Sequence, residues 1–86
     1  DLLPPMQTMY ISGGKKNKLR PGDILGALVG EANLRPGDVG NISILPMVSF
    51  VAVKHEKIEH AVTSLVSGKI KNRKFKIESN SYNFLQ

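Results

Sequence analysis

Eighty-six residues with no cysteine make about one small domain held by aliphatic packing, and exclude a disulfide framework or a thiolate zinc site. The formal net charge of +5 favours polyanion partners, because each neutralised phosphate releases condensed counterions. No apolar run approaches the roughly 18 residues of a membrane span and no segment reads as a secretory leader, so a soluble cytoplasmic protein without membrane partners is expected.

The chain opens Asp1-Leu2-Leu3-Pro4-Pro5, which reads as extended linker over residues 1–5. With no initiator methionine, a piece of a longer protein is expected. Residues 8–12 are strand formers and run into Gly13-Gly14, glycines placed where the chain is expected to turn as other residues cannot. A basic loop comes next. Pro21 then suits the first turn of a helix and Asp23 its positive end, while Ile24, Leu25, Leu28 and Val29 share a helical face over residues 21–31. Gly26 and Gly30 are weak points or close-packing positions in that helix.

The pentapeptide Leu-Arg-Pro-Gly-Asp occurs at residues 19–23 and again at 34–38. The similarity stops after the aspartate, so it marks shared turn chemistry and not an internal repeat; the second copy predicts a short helical turn before a strand. Ile42 and Ile44, then Val48, Phe50, Val51 and Val53, form two β-rich runs broken by Pro46-Met47, which predicts a hairpin. Ile58, Ala61, Val62, Leu65 and Val66 recur at helical spacing up to a stop at Gly68. Residues 74–78 alternate charged and apolar side chains as a half-buried fourth strand. The order β-α-β-β-α-β predicts an α+β, ferredoxin-like fold of the RRM kind over residues 6–78: a four-stranded antiparallel sheet with two helices on one face and the other face open. Residues 79–86 are a tail with no assigned role.

Charge is segmented. Lys15, Lys16, Lys18 and Arg20 form one cluster and Lys69, Lys71, Arg73, Lys74 and Lys76 another; together they hold nine of the twelve basic residues and no acidic one. One loop leaves a strand and the other precedes one, so the two are expected at opposite ends of the sheet, gripping phosphates at two separated places. Alternation turns Met9, Ile11, Val51, Val53, Phe75 and Ile77 inward and leaves Tyr10, Phe50, Lys74 and Lys76 on the open face. Tyr10 and Phe50, on neighbouring central strands, are expected to stack unpaired bases, each worth roughly 1–3 kcal/mol. Against the RNP1 pattern, residues 46–53 supply Phe50 and Val51, but Val48 stands where an aromatic is usual and Pro46 where a basic residue is usual; Tyr10 matches the aromatic of RNP2.

The run Gly13-Gly14-Lys15-Lys16-Asn17-Lys18-Leu19-Arg20-Pro21-Gly22-Asp23-Ile24-Leu25-Gly26-Ala27-Leu28, with Asp38-Val39-Gly40-Asn41-Ile42 and Gly68-Lys69-Ile70-Lys71, resembles the DbpA-type RNA-binding domain found after the two helicase domains of bacterial DEAD-box proteins. The resemblance covers residues 6–77. It implies a degenerate RRM that tethers an ATP-driven helicase core in the same parent chain to structured RNA, in the best-known members a hairpin region of large-subunit ribosomal RNA during ribosome assembly. A domain of looser RNA preference, or one that binds proteins, is the alternative.

No cofactor is expected and the domain alone is not expected to be an enzyme. His55 and His60 are five residues apart, about 500° of helix rotation, and so do not share a face as the H-E-x-x-H zinc chemistry requires. Neither Gly-Lys run has the G-x-x-x-x-G-K-[ST] spacing of a nucleotide phosphate loop. Asn41-Ile42-Ser43 fits a glycosylation sequon by chance in what reads as a strand. A constellation of nucleophile, base and anion hole, as an acylphosphatase-like enzyme on this fold would need, is not apparent.

Overall fold

The computed structural model describes residues 6–79. Its regular elements are β1 (Met6–Ile11), α1 (Pro21–Ala32), β2 (Val39–Ile44), β3 (Ser49–Lys54), α2 (Ile58–Ser67) and β4 (Ile77–Ser79). Short 3-10 turns at Lys15–Asn17, Pro36–Asp38 and His55–Lys57 precede α1, β2 and α2. The strands form one antiparallel sheet in the order β2-β3-β1-β4, the ferredoxin-like arrangement that the element order predicts.

Period-two alternation decides which side of the sheet is dry. Met9, Ile11, Val51 and Val53 are fully buried, and Ile77 joins them from the edge strand. Both helices cover this face, α1 through Ile24, Ala27, Leu28 and Ala32, α2 through Ile58, Ala61, Val62 and Leu65. Each large aliphatic side chain so buried stabilises the fold by roughly 1.5–3 kcal/mol. Leu19, Leu34 and Ile70 close the core from the loops. Val29 and Val66, expected on the buried stripes, are 37% and 52% exposed. Each lies roughly 90° or more off the line of its helix's buried residues, so the apolar stripe is narrower than the run of apolar letters.

The repeated pentapeptide builds the same local structure twice. In each copy the proline takes the first helical position and the aspartate carboxylate accepts the N–H of the arginine, Arg20 to Asp23 at 3.0 Å and Arg35 to Asp38 at 3.1 Å. The aspartate N–H returns a bond to the arginine carbonyl, at 3.0 and 2.8 Å. Beyond the aspartate the two copies diverge: the first continues into the full length of α1, the second stops after one turn and enters β2.

Two expected boundaries move. The first strand starts at Met6, and the fourth starts at Ile77 and runs through buried Ser79 instead of spanning residues 74–78. The β1–β4 ladder begins with Ile11 opposite Ile77. One more bond, from the Ser12 N–H to the Lys76 carbonyl at 2.9 Å, ends the pairing because β1's chain turns away at Gly13, leaving residues 74–76 without a strand to pair with. Residues 1–5 and 80–86, the expected linker and most of the expected tail, lie outside the described residues. Among the described residues, no helix is long and apolar enough to cross a membrane.

Candidate nucleic-acid interface

The two glycines after β1 serve close packing. The chain turns here as expected, but neither glycine has a positive φ, so the turn does not draw on glycine's left-handed freedom. A Cβ on Gly13 would stand 2.5 Å from the Phe75 ring, and one on Gly14 would stand 1.9 Å from the Leu45 carbonyl oxygen. With no side chain in the way, the loop lies directly against the β2–β3 hairpin: the Lys15 N–H donates to the Leu45 carbonyl at 2.8 Å and the Lys16 N–H to that of Pro46 at 3.0 Å. Buried Ser49 anchors the loop's start, its hydroxyl donating to the Gly13 carbonyl at 2.6 Å. Asn17 closes the 3-10 turn by accepting the Gly14 N–H at 3.0 Å, and Lys18 leaves it in the left-handed region at φ 61°.

The second basic segment is also built by a tight turn. Ile70 and Arg73 exchange both backbone bonds, at 2.8 and 3.0 Å, around Lys71 and Asn72, whose φ values are 54° and 64°. Two consecutive left-handed residues between paired neighbours are the signature of the mirror-image two-residue hairpin. The turn aims Lys71 and Arg73 at the first loop. Lys71 Nζ donates to the Lys18 carbonyl at 2.8 Å and lies 3.7 Å from the Asp23 carboxylate, while the Arg73 guanidinium donates to the Asn17 carbonyl. The guanidinium also lies over Phe75, 5.7 Å from the ring centroid.

The two basic loops therefore meet, which corrects the expectation of opposite ends. β1 and β4 are antiparallel neighbours with Ile11 opposite Ile77, so the end where β1 leaves the sheet is the end where β4 enters it. Between the loops lies a shallow, open pocket of about 290 Å³ lined by Lys15, Lys18, Leu19, Arg20 and Lys71.

The aromatic pair is at the same end. Tyr10 and Phe50 are direct cross-strand partners, half-buried on the open face, in a row running Ser43, Phe50, Tyr10, Glu78 across the four strands. Their rings are 5.2 Å apart and nearly perpendicular, at 85°, a favourable edge-to-face pair. Perpendicular rings cannot both lie flat under stacked bases, so this arrangement offers one ring face and one ring edge. Lys76 reaches the same row through Glu78, 3.6 Å away. Lys69 and Lys74 are exposed on the second segment.

Sequence reasoning missed the groups that shape the loops: Ser49, Asn17, the carbonyls of Leu45 and Pro46, and Asp23 as Lys71's counter-ion. Backbone carbonyls carry no residue signature, and Ser49 reads as an ordinary strand residue. The two histidines make separate contacts with residues distant in the chain. His55, in a 3-10 turn, contacts the Gln7 amide at 3.1 Å, and His60 Nε2 contacts the Ala32 carbonyl at 2.8 Å. Among the described residues no cluster of three potential metal ligands occurs.

This basic corner and the sheet beneath it coincide with a known domain. The family described as "DbpA RNA binding domain" matches residues 8–79, from within β1 to the last residue of β4. The chain belongs to that family. The ATP-dependent RNA helicase DbpA of Escherichia coli (strain K12) is 46% identical over 68 residues, which are 79% of this chain and 15% of that protein. The ATP-dependent RNA helicase DbpA of Bacillus subtilis (strain 168) is 26% identical over 77 residues, 90% of this chain and 16% of that protein. The chain thus spans about one-sixth of the length of these relatives, and both basic loops fall inside the family match.

Proposed function

We propose that this DbpA-family domain is the RNA-docking module of a cytoplasmic DEAD-box, ATP-dependent RNA helicase, and that it holds the helicase core to structured ribosomal RNA of the large subunit during ribosome assembly. The observation that carries the reading is the convergence of the two basic loops on one corner, beside Tyr10 and Phe50. A face of this kind suits a stem whose phosphates meet the lysines while an unpaired base reaches the aromatic pair. Lys15, Lys16, Lys18, Arg20, Lys69, Lys71, Arg73, Lys74 and Lys76 supply the charge, and Tyr10 and Phe50 the stacking surface. ATP hydrolysis belongs to the helicase core, since this chain has no nucleotide phosphate loop.

The test is a salt series. Binding of a ribosomal RNA hairpin by the 86-residue chain is expected to fall linearly in log–log form, with a slope of about 0.9 per duplex phosphate contacted. Neutralising Lys15, Lys16 and Lys18 together, or Lys69 and Lys74 together, flattens the slope. Because the loops touch, the two losses are non-additive when combined. Unchanged slopes in both variants would reduce the lysines to a solvated surface. For the ribosomal target, crosslinking the full-length parent in cells is expected to enrich a large-subunit site, and recovery of messenger RNA fragments alone would overturn it.

A further inference from the structure

The nine cations of the two basic segments are not equivalent. Among the described residues, the side chains of Lys15, Lys16, Lys18, Arg20, Lys69 and Lys74 make no hydrogen bond or ion pair with the protein. Lys76 pairs only with Glu78, two residues away, whereas Lys71 and Arg73 both reach across more than fifty residues of sequence to the carbonyls of Lys18 and Asn17. Those carbonyls belong to the end of the 3-10 turn, where the left-handed Lys18 reverses the chain, the place where carbonyls lose helical partners.

Resting on the RNA-binding reading above, we propose that Lys71 and Arg73 are positioning residues: they fasten the loop that carries Lys15, Lys16, Lys18 and Arg20, and so fix the spacing at which those four meet phosphates. Three details converge on this role. Both donors sit on a two-residue hairpin held by its own pair of backbone bonds, so they act from a rigid base. Asp23 lies 3.7 Å from Lys71 Nζ and itself caps α1 through the Arg20 N–H, which offsets the ammonium's charge and ties it to the helix that the loop enters. The Arg73 guanidinium covers Phe75, the ring on which Gly13 rests, so one side chain braces both ends of the turn. The loop is thereby held from the hairpin side by Leu45 and Pro46 and from the opposite side by Lys71 and Arg73.

A positioning cation and a phosphate-binding cation respond differently to removal. Replacing Lys16, which has no partner among the described residues, removes a phosphate contact and lowers the salt slope by about 0.9 on a duplex while leaving the free protein unchanged. Lys71→Met and Arg73→Met instead leave the lysines free to reach phosphates from a loosened loop. They are expected to weaken hairpin RNA binding roughly five- to tenfold, the scale of one net hydrogen bond lost from the bound geometry, with the salt slope kept to within about half a contact.

The deciding readout needs no RNA. Amide hydrogen exchange at Asn17, Lys18 and Leu19, whose N–H groups close the turn, is expected to quicken at least about tenfold in Lys71→Met and Arg73→Met and to stay unchanged in Lys16→Met. Unaltered exchange, together with a salt slope that falls as it does in Lys16→Met, would make Lys71 and Arg73 phosphate contacts and overturn the proposal. Should the wild type bind no hairpin RNA, the RNA reading fails by itself, and the exchange data still decide whether these two residues hold the loop.

Discussion

Replacing Gly14 with alanine tests whether the first basic loop is wedged where the structure puts it. The new Cβ would stand 1.9 Å from the Leu45 carbonyl oxygen and 3.0 Å from the carbonyl carbons of Leu45 and Pro46. All three are backbone atoms, so no side chain can swing aside; the loop and the hairpin must separate by about 1 Å. That movement takes the bonds from Lys15 to Leu45 and from Lys16 to Pro46, now 2.8 and 3.0 Å, beyond useful hydrogen-bond length. Two net backbone bonds at about 1 kcal/mol each, with the strain of overpacking at about 1–2 kcal/mol, give a loss of roughly 3–4 kcal/mol. For a domain of this size that is a fall in Tm of roughly 10–30 °C. Gly26→Ala is the opposite case. Nothing lies within 4 Å of its Cβ position in mid-α1, so the change should raise stability by about 0.5–1 kcal/mol through helix propensity alone. Thermal and urea unfolding followed by circular dichroism measure both. A Gly14→Ala protein within about 0.5 kcal/mol of the wild type would refute the packing argument.

Two further perturbations separate surface from scaffold. Tyr10→Ala and Phe50→Ala should each keep the fold, since both residues lie on the open face, and whichever ring presents its face to RNA should cost roughly 1–3 kcal/mol of binding; equal, negligible losses in a titration would remove the pair from the interface. Asp38 gives a pH signature: the Arg35 amide bond and the Lys54 ammonium 3.5 Å away hold its carboxyl below the ordinary value of 3.8, against a desolvation that raises it. A folded pKa below the unfolded one contributes stability present above the unfolded value and lost as pH falls through the folded one. The Tm gap between wild type and Asp38→Asn should therefore be widest near neutrality and narrow below about pH 4, whereas a gap that stays constant with pH would exclude the linkage.

The fold is legible in the sequence because its signals are local and periodic. Ile58, Ala61, Val62 and Leu65 name their own helix face, and Met9 and Ile11 alternate with Tyr10 as a half-buried strand must. The twin Leu-Arg-Pro-Gly-Asp turns are readable for the same reason, since proline and aspartate act within four residues. Where a boundary depends on a distant partner, local pattern misleads. Residues 74–76 alternate as a strand would, yet a strand exists only where a neighbour pairs with it, and β1 has turned away by then. Gly13 and Gly14 are needed for a reason other than the turn that two adjacent glycines suggest. A side chain is forbidden there by the Phe75 ring and the Leu45 carbonyl, groups far along the chain that no local pattern can announce.

The site shows how topology converts separated sequence into one surface. Lys15 to Arg20 and Lys69 to Lys76 are about fifty residues apart, and the fact that one loop leaves a strand while the other enters one reads as separation only if the strands run the same way. β1 and β4 are antiparallel neighbours, so exit and entrance share an edge. Convergence then brings like charges together, and unscreened unit charges at 4 Å repel by about 1 kcal/mol even in bulk water. Neutral and anionic acceptors set between the loops offset this repulsion. The Asn17 and Lys18 carbonyls take donors from Arg73 and Lys71, and Asp23 stands beside the latter. Among the described residues, Lys15, Lys18 and Arg20 have no internal partner and line the pocket, so two basic segments that look alike in the sequence divide in the fold into Lys71 and Arg73, which hold the loops together, and cations left facing outward.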